Sequence, residues 1–433
     1  MSAEKIKFQN ALYINDNLPV LLGLNSESVD LIYLDPPFNS KRLYSAPVGS
    51  LSAGASFKDM WTWKDVDEYN LESIAVGHPK LATFISSING SYSKAMKAYL
   101  TYMAQRIIEM YRVLKNTGSL YLHCDPTASH YLKIVLDFIF DSNNFQNEII
   151  WWYSGWNAKL KKHFNRRHDV LLFYSKSKSP VFNSFALPWE SEDEYIKTRK
   201  QKVSVDEKGN KYVLSDAGAG NRVKRFLNDA MNYGKPVDDV WNIDKLNNSS
   251  KEATGYPTQK PEALLERILE ASSNKGEIVL DPFCGCATTC VVAEKLERKW
   301  IGIDIESKAN TILIQRLQLA EGLDGLFSQQ KFMSTDKIPV RTDLKEVPKS
   351  ESVKQRLYKE QKGKCNACGV DFEPRNLEID HIIPKSKGGG DYYENYQLLC
   401  GSCNRIKGDR PMEYLRMKIA RIEKTRAGVF FGD

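Results

Sequence analysis

Residues 29–38 read VDLIYLDPPF, an apolar run that ends in an acidic residue and two prolines. The run 29–34 has the length and composition of a buried β-strand. In open α/β sheets, ligands bind beyond the carboxyl ends of the strands. The stretch therefore predicts a buried strand with a functional loop, Asp35-Pro36-Pro37-Phe38, at its end.

Strand and helix signals alternate on both sides of this stretch. Apolar residues recur at helical spacing over 91–115, and Asn116-Thr117-Gly118 predicts the end of that helix. The same signals predict strands at 11–14, 119–123, 278–280 and 300–303, and helices at 130–140, 288–297 and 307–319. This alternation predicts a parallel, doubly wound α/β sheet.

A second motif, Asp281-Pro282-Phe283-Cys284-Gly285, lies between a predicted strand and a predicted helix. A tight turn there lets backbone N–H groups face a ligand at the start of the helix. Asp304 closes the following strand, at a distance that suits an acidic residue reaching the ribose of a nucleoside cofactor. The segment predicts a nucleoside-cofactor site.

The first motif has the groups needed to activate an exocyclic amino group. Such a nitrogen in adenine or cytosine is a poor nucleophile because its lone pair is delocalised into the ring. The Asp35 carboxylate and the Pro36 carbonyl can accept hydrogen bonds from it and draw the lone pair out of conjugation. Consecutive prolines hold these acceptors rigidly, and Phe38 offers a face to a base flipped out of the duplex.

Together these motifs resemble the DNA amino-methyltransferases of the adenine-N6/cytosine-N4 type, in the circularly permuted order called the beta class. The resemblance covers residues 5–320. It also rests on Asn15-Asp16-Asn17, Asn147-Glu148-Ile149-Ile150-Trp151, His168-Asp169 and Pro257-Thr258-Gln259-Lys260-Pro261.

The resemblance implies a Rossmann-like methyltransferase domain over residues 1–325, with a target recognition region inserted at 176–255. It implies S-adenosylmethionine as cofactor and double-stranded DNA as partner. The target base is implied at Asp35, Pro36, Pro37 and Phe38. The cofactor is implied at Asp16, Thr258, Lys260, Asp281, Phe283, Gly285, Thr288 and Asp304.

Two positions bear on specificity and on the cofactor turn. Asp rather than Ser at position 35 favours adenine N6, while cytosine stays open. Ala287 stands where the family usually has a second glycine, so we expect a tighter or differently angled turn.

Basic residues point to contacts with nucleic acid. Within 176–255, Arg222, Lys224 and Arg225 have the chemistry to read guanine edges or to hold phosphate. Upstream, aromatic residues (Trp151, Trp152, Tyr153, Trp156) precede basic ones (Lys159, Lys161, Lys162, Arg166, Arg167). This pattern suits either a nucleic-acid strand beside the active site or buried tryptophans next to solvated lysines.

The C-terminal part carries two pairs of cysteines, Cys365/Cys368 and Cys400/Cys403, at the spacing of a four-cysteine structural zinc site. Between them lie Asp380-His381 and Asn395, and Asn404 follows the last cysteine. This module resembles the HNH endonucleases, whose fold is a zinc-stapled ββα-metal hairpin and helix. We expect a linker at 326–350 and the HNH domain, with a basic C-terminal helix, at 351–433.

That resemblance implies roles for four residues. His381 is the expected general base, and Asn395 orients the loop around it. Asp380 and Asn404 are the expected ligands of a catalytic Mg²⁺ or Mn²⁺. The family usually has His where this chain has Asn404, and an amide oxygen suits a hard cation.

Composition narrows the class of protein. The net charge of +7 falls mostly on residues 331–433, with 21 Lys and Arg against 15 Asp and Glu, which suits a polyanionic partner. No apolar run approaches a membrane span, so we expect a soluble cytoplasmic protein, in a family that often forms homodimers.

Three functions remain in view. The leading one is an adenine-N6 DNA methyltransferase that also cuts DNA, as a single-chain restriction–modification enzyme. The second keeps the methyltransferase and makes the zinc module a DNA clamp. The third is an RNA or protein methyltransferase.

Overall fold

The computed structural model describes residues 10–38, 42–47, 49–53, 56–59, 71, 74–75, 77–91, 93–155, 162, 164–247, 249–320, 332–387, 389–410, 412, 414–416, 418–419 and 422. Trp156, Lys159, Lys161 and most of the predicted C-terminal helix lie outside these residues. The chain forms two compact bodies. Phe182–Trp241 is the smaller one, and the segments before and after it form the larger one.

The larger body is organised around one mixed sheet. Its strands lie in the order Phe145–Trp152, His168–Ser175, Leu114–Cys124, Val29–Leu34, Ile278–Asp281, Lys299–Asp304, Ala11–Ile14 and Met333–Thr335. The strands from Leu114–Cys124 onward pair in parallel. The prediction of a parallel sheet is wrong for His168–Ser175, which pairs antiparallel with both of its neighbours.

Helices cover both faces of this sheet. Side chains alternate along each strand, so each strand contributes residues to both faces. In the strand Leu114–Cys124, Leu120 and Leu122 join the main apolar core. Tyr121 faces the other way, and its hydroxyl lies 2.8 Å from Ser272 Oγ. The helices are Asn17–Gly23, Pro79–Ser91, Lys94–Val113, Ser129–Phe140, Glu262–Ser272, Thr288–Lys295 and Lys308–Ala320. A short antiparallel pair joins Arg42–Ser45 to Ser56–Asp59.

The smaller body has its own strands and a small core. Val203–Val205, Lys211–Asp216 and Arg222–Phe226 form an antiparallel sheet. Tyr195, Val213 and Leu227 are buried beneath it. Helices Glu192–Arg199 and Leu227–Asn232 and a pair of two-residue strands (Ala186–Leu187 with Lys235–Pro236) complete the regular structure of the smaller body. The strand Val240–Asn242 spans the boundary of this body and is counted in the main sheet.

The C-terminal module has the predicted ββα order. Strands Leu377–His381 and Tyr396–Cys400 pair antiparallel, and the helix Gly401–Lys407 follows. The helix Glu351–Glu360 adds Val353 and Leu357 to the core of the module.

Residues 332–350, inside the predicted linker, contact both the sheet body and the C-terminal module. Met333–Thr335 pairs with Ala11–Ile14. Further along, Thr342 N donates to Asn25 Oδ1 at 2.7 Å, and Val347 N donates to Asp391 O at 2.7 Å. This segment therefore connects the main sheet to the C-terminal module through backbone hydrogen bonds on both sides.

Candidate functional site

A cavity of about 600 Å³ opens at one edge of the main sheet. Four neighbouring parallel strands, Val29–Leu34, Ile278–Asp281, Lys299–Asp304 and Ala11–Ile14, end there, as expected for ligand sites in open α/β sheets. The cavity has the volume usual for small-molecule sites. It brings together every residue that the sequence predicted for the target base and the cofactor: Asp16, Asp35, Pro36, Pro37, Phe38, Thr258, Lys260, Asp281, Phe283, Gly285, Thr288 and Asp304.

One carboxylate oxygen of Asp35 has a hydrogen-bond partner, and the other has none among the described residues. The ammonium of Lys260 pairs with Asp35 Oδ2 and also donates to the carbonyl of Thr258 at 3.1 Å. Asp35 Oδ1 is buried and has no hydrogen-bond partner among the described residues. A buried acceptor without a donor is costly, so this oxygen is suited to receive a donor from a bound ligand.

Phe38 lies on a buried histidine. Its ring stacks on His123 with centroids 5.9 Å apart and planes at 28°. The His123 side chain is fully buried, with Nδ1 2.9 Å from the hydroxyl of Tyr33 and Nε2 3.4 Å from Asp169 Oδ2. His123 therefore supports one face of the Phe38 ring.

Asp169 extends the hydrogen-bond network of His123 to Tyr153. Burial alone would raise the pKa of Asp169, but the hydrogen bond and charge of His123 and the charges of Lys245 and Lys260 lower that pKa to about 2. Asp169 Oδ1 accepts from Tyr153 at 3.1 Å, and the ammonium of Lys245 lies 3.6 Å from the centre of the Tyr153 ring. Of these residues, sequence reasoning found Asp169, Tyr153 and Lys260, and it missed His123 and Lys245.

The turn after Ile278–Asp281 is held by the Asp281 carboxylate. Its oxygens accept from Phe283 N at 3.1 Å and from Thr289 Oγ1 at 2.5 Å, and burial raises its pKa to about 7. Ala287 has φ +59°, the left-handed conformation that glycine adopts most easily. The alanine therefore keeps a backbone conformation that a glycine would take, at a local cost of about 1 kcal/mol.

Asp304 closes the next strand and contacts the same turn. Its carboxylate accepts from Gly285 N at 2.7 Å and from Glu306 N at 2.8 Å. Burial raises the pKa of Asp304 to about 6. The cavity thus holds a carboxylate beside a glycine turn, an acceptor that fits the ribose hydroxyls of a nucleoside methyl donor.

Sequence reasoning missed Arg106, which holds the loop Asn15–Asn17. Its Nη2 lies 3.0 Å from both carboxylate oxygens of Asp16, and its Nε donates to Asn17 Oδ1 at 2.5 Å. Asn17 in turn donates to Pro282 O at 2.7 Å. The signal available in the sequence was a charged residue on the apolar face of the helix 91–115.

The four paired cysteines converge in the C-terminal module. Their Sγ atoms all lie within 4.8 Å of one another, and Cys400 N donates to Cys365 Sγ at 3.3 Å. Four thiols at this spacing fit a tetrahedral zinc ion.

His381 lies at the end of the strand Leu377–His381, and Asp391 approaches it. His381 Nε2 is 2.9 Å from Asp391 Oδ1. Asn395, predicted to orient this loop, accepts from Ile383 N at 2.8 Å and donates to Gly390 O at 3.0 Å. Sequence reasoning did not single out Asp391.

The two residues predicted to bind a catalytic divalent ion have other partners. Asp380 Oδ2 lies 3.0 Å from Lys407 Nζ and 2.8 Å from Gln397 Nε2, and Oδ1 lies 3.3 Å from Lys407 Nζ. The Lys407 side chain is only 1% exposed. Asn404 donates to Glu378 at 2.5 Å. Because a buried ammonium faces Asp380, this arrangement does not fit a divalent ion, and the ion stays a prediction.

Family comparison identifies both parts of the chain that the sequence singled out. The DNA methylase family of the N6/N4 type matches residues 29–315, well over half of the chain. The chain belongs to this family. The HNH endonuclease family matches residues 365–410. The protein is therefore an S-adenosylmethionine-dependent DNA methyltransferase with a C-terminal HNH endonuclease domain.

Relatives of this methyltransferase match over most of its length. The DNA adenine methyltransferase YhdJ of Escherichia coli K12 is 28% identical over 334 residues, which cover 77% of this chain and 91% of YhdJ. The type II methyltransferase M.HpaI of Haemophilus parainfluenzae is 27% identical over 326 residues, 75% and 80% of the two chains. These are DNA methyltransferases, in agreement with the family assignment and against an RNA or protein methyltransferase.

Among solved structures, the cytosine-N4-specific PvuII DNA methyltransferase is 16% identical, with a TM-score of 0.45 over 76% of this chain and 95% of that chain. The M1.HpyAVI–SAM complex is 17% identical, with a TM-score of 0.37 over 72% and 99%. The family itself spans N6 and N4 methylases, so membership leaves the target base open.

The smaller body of the methyltransferase presents a basic strand. All five side chains of Arg222–Phe226 are exposed. Lys224 pairs with Asp206 at 3.2 Å and lies 4.3 Å from the centre of the Tyr212 ring. Arg225 lies 5.5 Å from the centre of the Tyr233 ring, which is itself exposed.

Upstream of that body, the aromatic run divides. Trp151 is buried and donates to Ile243 O at 2.7 Å, as expected of a core residue. Trp152 is exposed. The nucleic-acid interpretation is therefore wrong for Trp151 and stays a prediction for Trp152.

Among the described residues of the methyltransferase, no helix combines the length and the apolar character required to span a membrane.

Proposed function

We propose that this enzyme methylates adenine N6 within a specific double-stranded DNA site, and that its HNH domain cuts DNA that lacks the mark. The observation that carries the methylation part is the open, buried Oδ1 of Asp35 in the same cavity as the glycine turn and Asp304. An acceptor for an amino group and a cradle for a nucleoside methyl donor thus share one space of about 600 Å³.

Different residues of the site bind the target base and the cofactor. Lys260 holds Asp35 Oδ2, which leaves Oδ1 free to accept a hydrogen bond from the amino group of the target base. Phe38, supported by His123, stacks on the flipped base. Asp304 accepts from ribose hydroxyls, and Arg106 keeps Asp16 and Asn17 at the edge of the cavity. Bound S-adenosylmethionine supplies the methyl group.

The methylation proposal is tested by nucleoside analysis. Purified protein, S-adenosylmethionine and unmethylated plasmid are incubated, and the digested DNA is analysed by mass spectrometry. We expect N6-methyladenine, and we expect Asp35→Ala to lower its formation by at least ~100-fold because the amino-group acceptor is lost. Asp371→Asn, an exposed acid in the C-terminal module, should behave as wild type. N4-methylcytosine as the product would overturn the choice of base.

A second function for the C-terminal module has one specific observation in its favour. Both oxygens of Asp380 have partners, one of them the buried Lys407. A zinc-stapled module in which Asp380 already has protein partners is suited to bind DNA as a clamp without cutting it. Incubating the protein with plasmid and Mg²⁺ or Mn²⁺ separates the two functions: nicked or linear DNA that His381→Ala fails to produce supports the endonuclease.

A further inference from the structure

The connection between the two strands of the HNH domain folds back onto the end of the first strand. His381 ends the strand Leu377–His381 and faces Tyr396 on its antiparallel partner. Asp391 lies in the connection, and its carboxylate returns to the histidine, with Oδ1 2.9 Å from His381 Nε2.

Both oxygens of this carboxylate are held. The hydroxyl of Tyr396 lies 3.0 Å from Oδ1, and the ammonium of Lys385 lies 2.6 Å from Oδ2. The main-chain oxygen of Asp391 accepts from Val347 N at 2.7 Å. The hydrogen bonds from Lys385 and His381 hold the pKa of Asp391 below its usual value. Asp391 is thus a charged acceptor with a fixed orientation.

The backbone that presents Asp391 is closely packed. A Cβ atom on Gly389 would lie 1.8 Å from Ile383 O, and one on Gly390 would lie 2.3 Å from the Tyr392 ring. Asn395 Nδ2 bridges Ile383 O at 3.1 Å and Gly390 O at 3.0 Å. The two glycines and Asn395 therefore fix the shape of the loop, and this loop determines the position of Asp391.

The histidine itself has little freedom. Its side chain is 13% exposed, and its ring packs against Tyr396 with centroids 5.1 Å apart. A carboxylate accepts and cannot donate, so a neutral His381 beside it carries its proton on Nε2 and a lone pair on Nδ1.

We propose that Asp391 is the positioning residue of the nuclease: it fixes His381 in the tautomer whose Nδ1 is basic and orients the ring toward the scissile phosphate. The inference rests on the nuclease activity proposed above. In the step, Nδ1 takes a proton from water while the water oxygen forms a bond to phosphorus. The bond from phosphorus to the leaving sugar oxygen breaks, and that oxygen takes a proton from solvent.

The kinetic test uses the full chain, plasmid DNA and Mg²⁺ or Mn²⁺, with Asp391→Asn, Asp391→Glu and His381→Ala. Asn keeps the shape but offers an amide that can donate or accept, so the tautomer is no longer fixed. We expect Asp391→Asn to lower kcat for cleavage by about 10- to 100-fold, with KM for DNA changed little, and Asp391→Glu to restore part of the rate. Asp371→Asn is the matched control, and methylation should be unchanged throughout.

A spectroscopic measurement on the wild type tests the inference even if a variant fails to fold. The ¹⁵N chemical shifts of His381 at a single pH report which ring nitrogen carries the proton. We expect Nε2–H in the wild type and a mixture of tautomers in Asp391→Asn. Wild-type His381 with its proton on Nδ1 would overturn the inference even without the variant.

Failure of the inference and failure of the nuclease function look different. If Asp391→Asn cuts at the wild-type rate while His381→Ala is inactive, the nuclease stands and Asp391 has no positioning role. If the wild type methylates DNA but cuts none under any condition, the nuclease function is wrong and the inference falls with it.

Discussion

At the scale of single residues, we expect Asp304 to set the lower pH limit for binding of the cofactor. Burial raises its pKa to about 6, and ribose hydroxyls donate to the ionised carboxylate better than to the neutral acid. The affinity for S-adenosylmethionine should therefore be highest above pH 6 and fall as pH drops below 6 and Asp304 takes up a proton. Calorimetric titration from pH 5 to 8 measures this, and Asp304→Asn should bind more weakly and lack the fall near pH 6. Equal affinity at pH 5 and pH 8 would contradict the role.

Lys260 is the second residue with a separable effect. Lys260→Met removes the partner of Asp35 Oδ2 and leaves a partly buried carboxylate unpaired. We expect methylation at saturating S-adenosylmethionine to fall on the order of 10- to 100-fold, because Asp35 loses its orientation. The exposed Lys251→Met is the matched control from the same stretch of chain. A variant that methylates at the wild-type rate would show that Asp35 needs no such partner.

At the scale of elements, the helix Lys94–Val113 holds the loop Asn15–Asn17 through Arg106. Arg106→Met removes two hydrogen bonds to Asp16 and one to Asn17. The Asp16 side chain is 43% exposed, so solvent screens the charge that is left. We expect a loss of about 1–3 kcal/mol in the free energy of unfolding and weaker cofactor binding, measured by urea denaturation and titration calorimetry. Lys94→Met, at the exposed start of the same helix, should change neither.

Local sequence predicted the elements better than their ends or directions. Asn116-Thr117-Gly118 reads as a helix stop, yet these residues lie within the strand Leu114–Cys124. A Cβ on Gly118 would lie 2.6 Å from the Leu114 side chain and 2.8 Å from Asp30 O, so this glycine allows close approach of the neighbouring strand. Such strand pairing depends on tertiary contacts, and so does the antiparallel direction of His168–Ser175. Local sequence therefore does not predict either of them.

The candidate site was predictable where its residues follow strand ends in the sequence. Asp35, Asp281 and Asp304 each close or follow a strand of the parallel part of the sheet, so topology brings them into one cavity. Arg106, Asp391 and Lys407 act through partners 90, 10 and 27 positions away. No local pattern specifies these pairs, so sequence reasoning missed them.

At the scale of the whole molecule, residues 336–349 join the methyltransferase part to the HNH domain. A Cβ on Gly23 would lie 2.0 Å from Pro339 O, so Gly23→Val must displace this segment. We expect faster proteolysis within 336–349 and a lower melting temperature of the HNH domain, read by mass spectrometry and calorimetry. Gly77→Val is the matched control, because a Cβ at Gly77 meets nothing within 4 Å. Unchanged proteolysis in Gly23→Val would show that the segment does not depend on this contact.

We propose above all that this single chain marks a DNA site and cuts the unmarked form. Two variants should separate the activities: we expect His381→Ala to methylate without cutting, and Asp35→Ala to cut without methylating. Plasmid is first incubated with His381→Ala, with or without S-adenosylmethionine, then purified and given to Asp35→Ala with Mg²⁺ or Mn²⁺. We predict cleavage of the plasmid prepared without S-adenosylmethionine and protection of the plasmid prepared with it. Equal cleavage of both, or cleavage of neither, would contradict the claim.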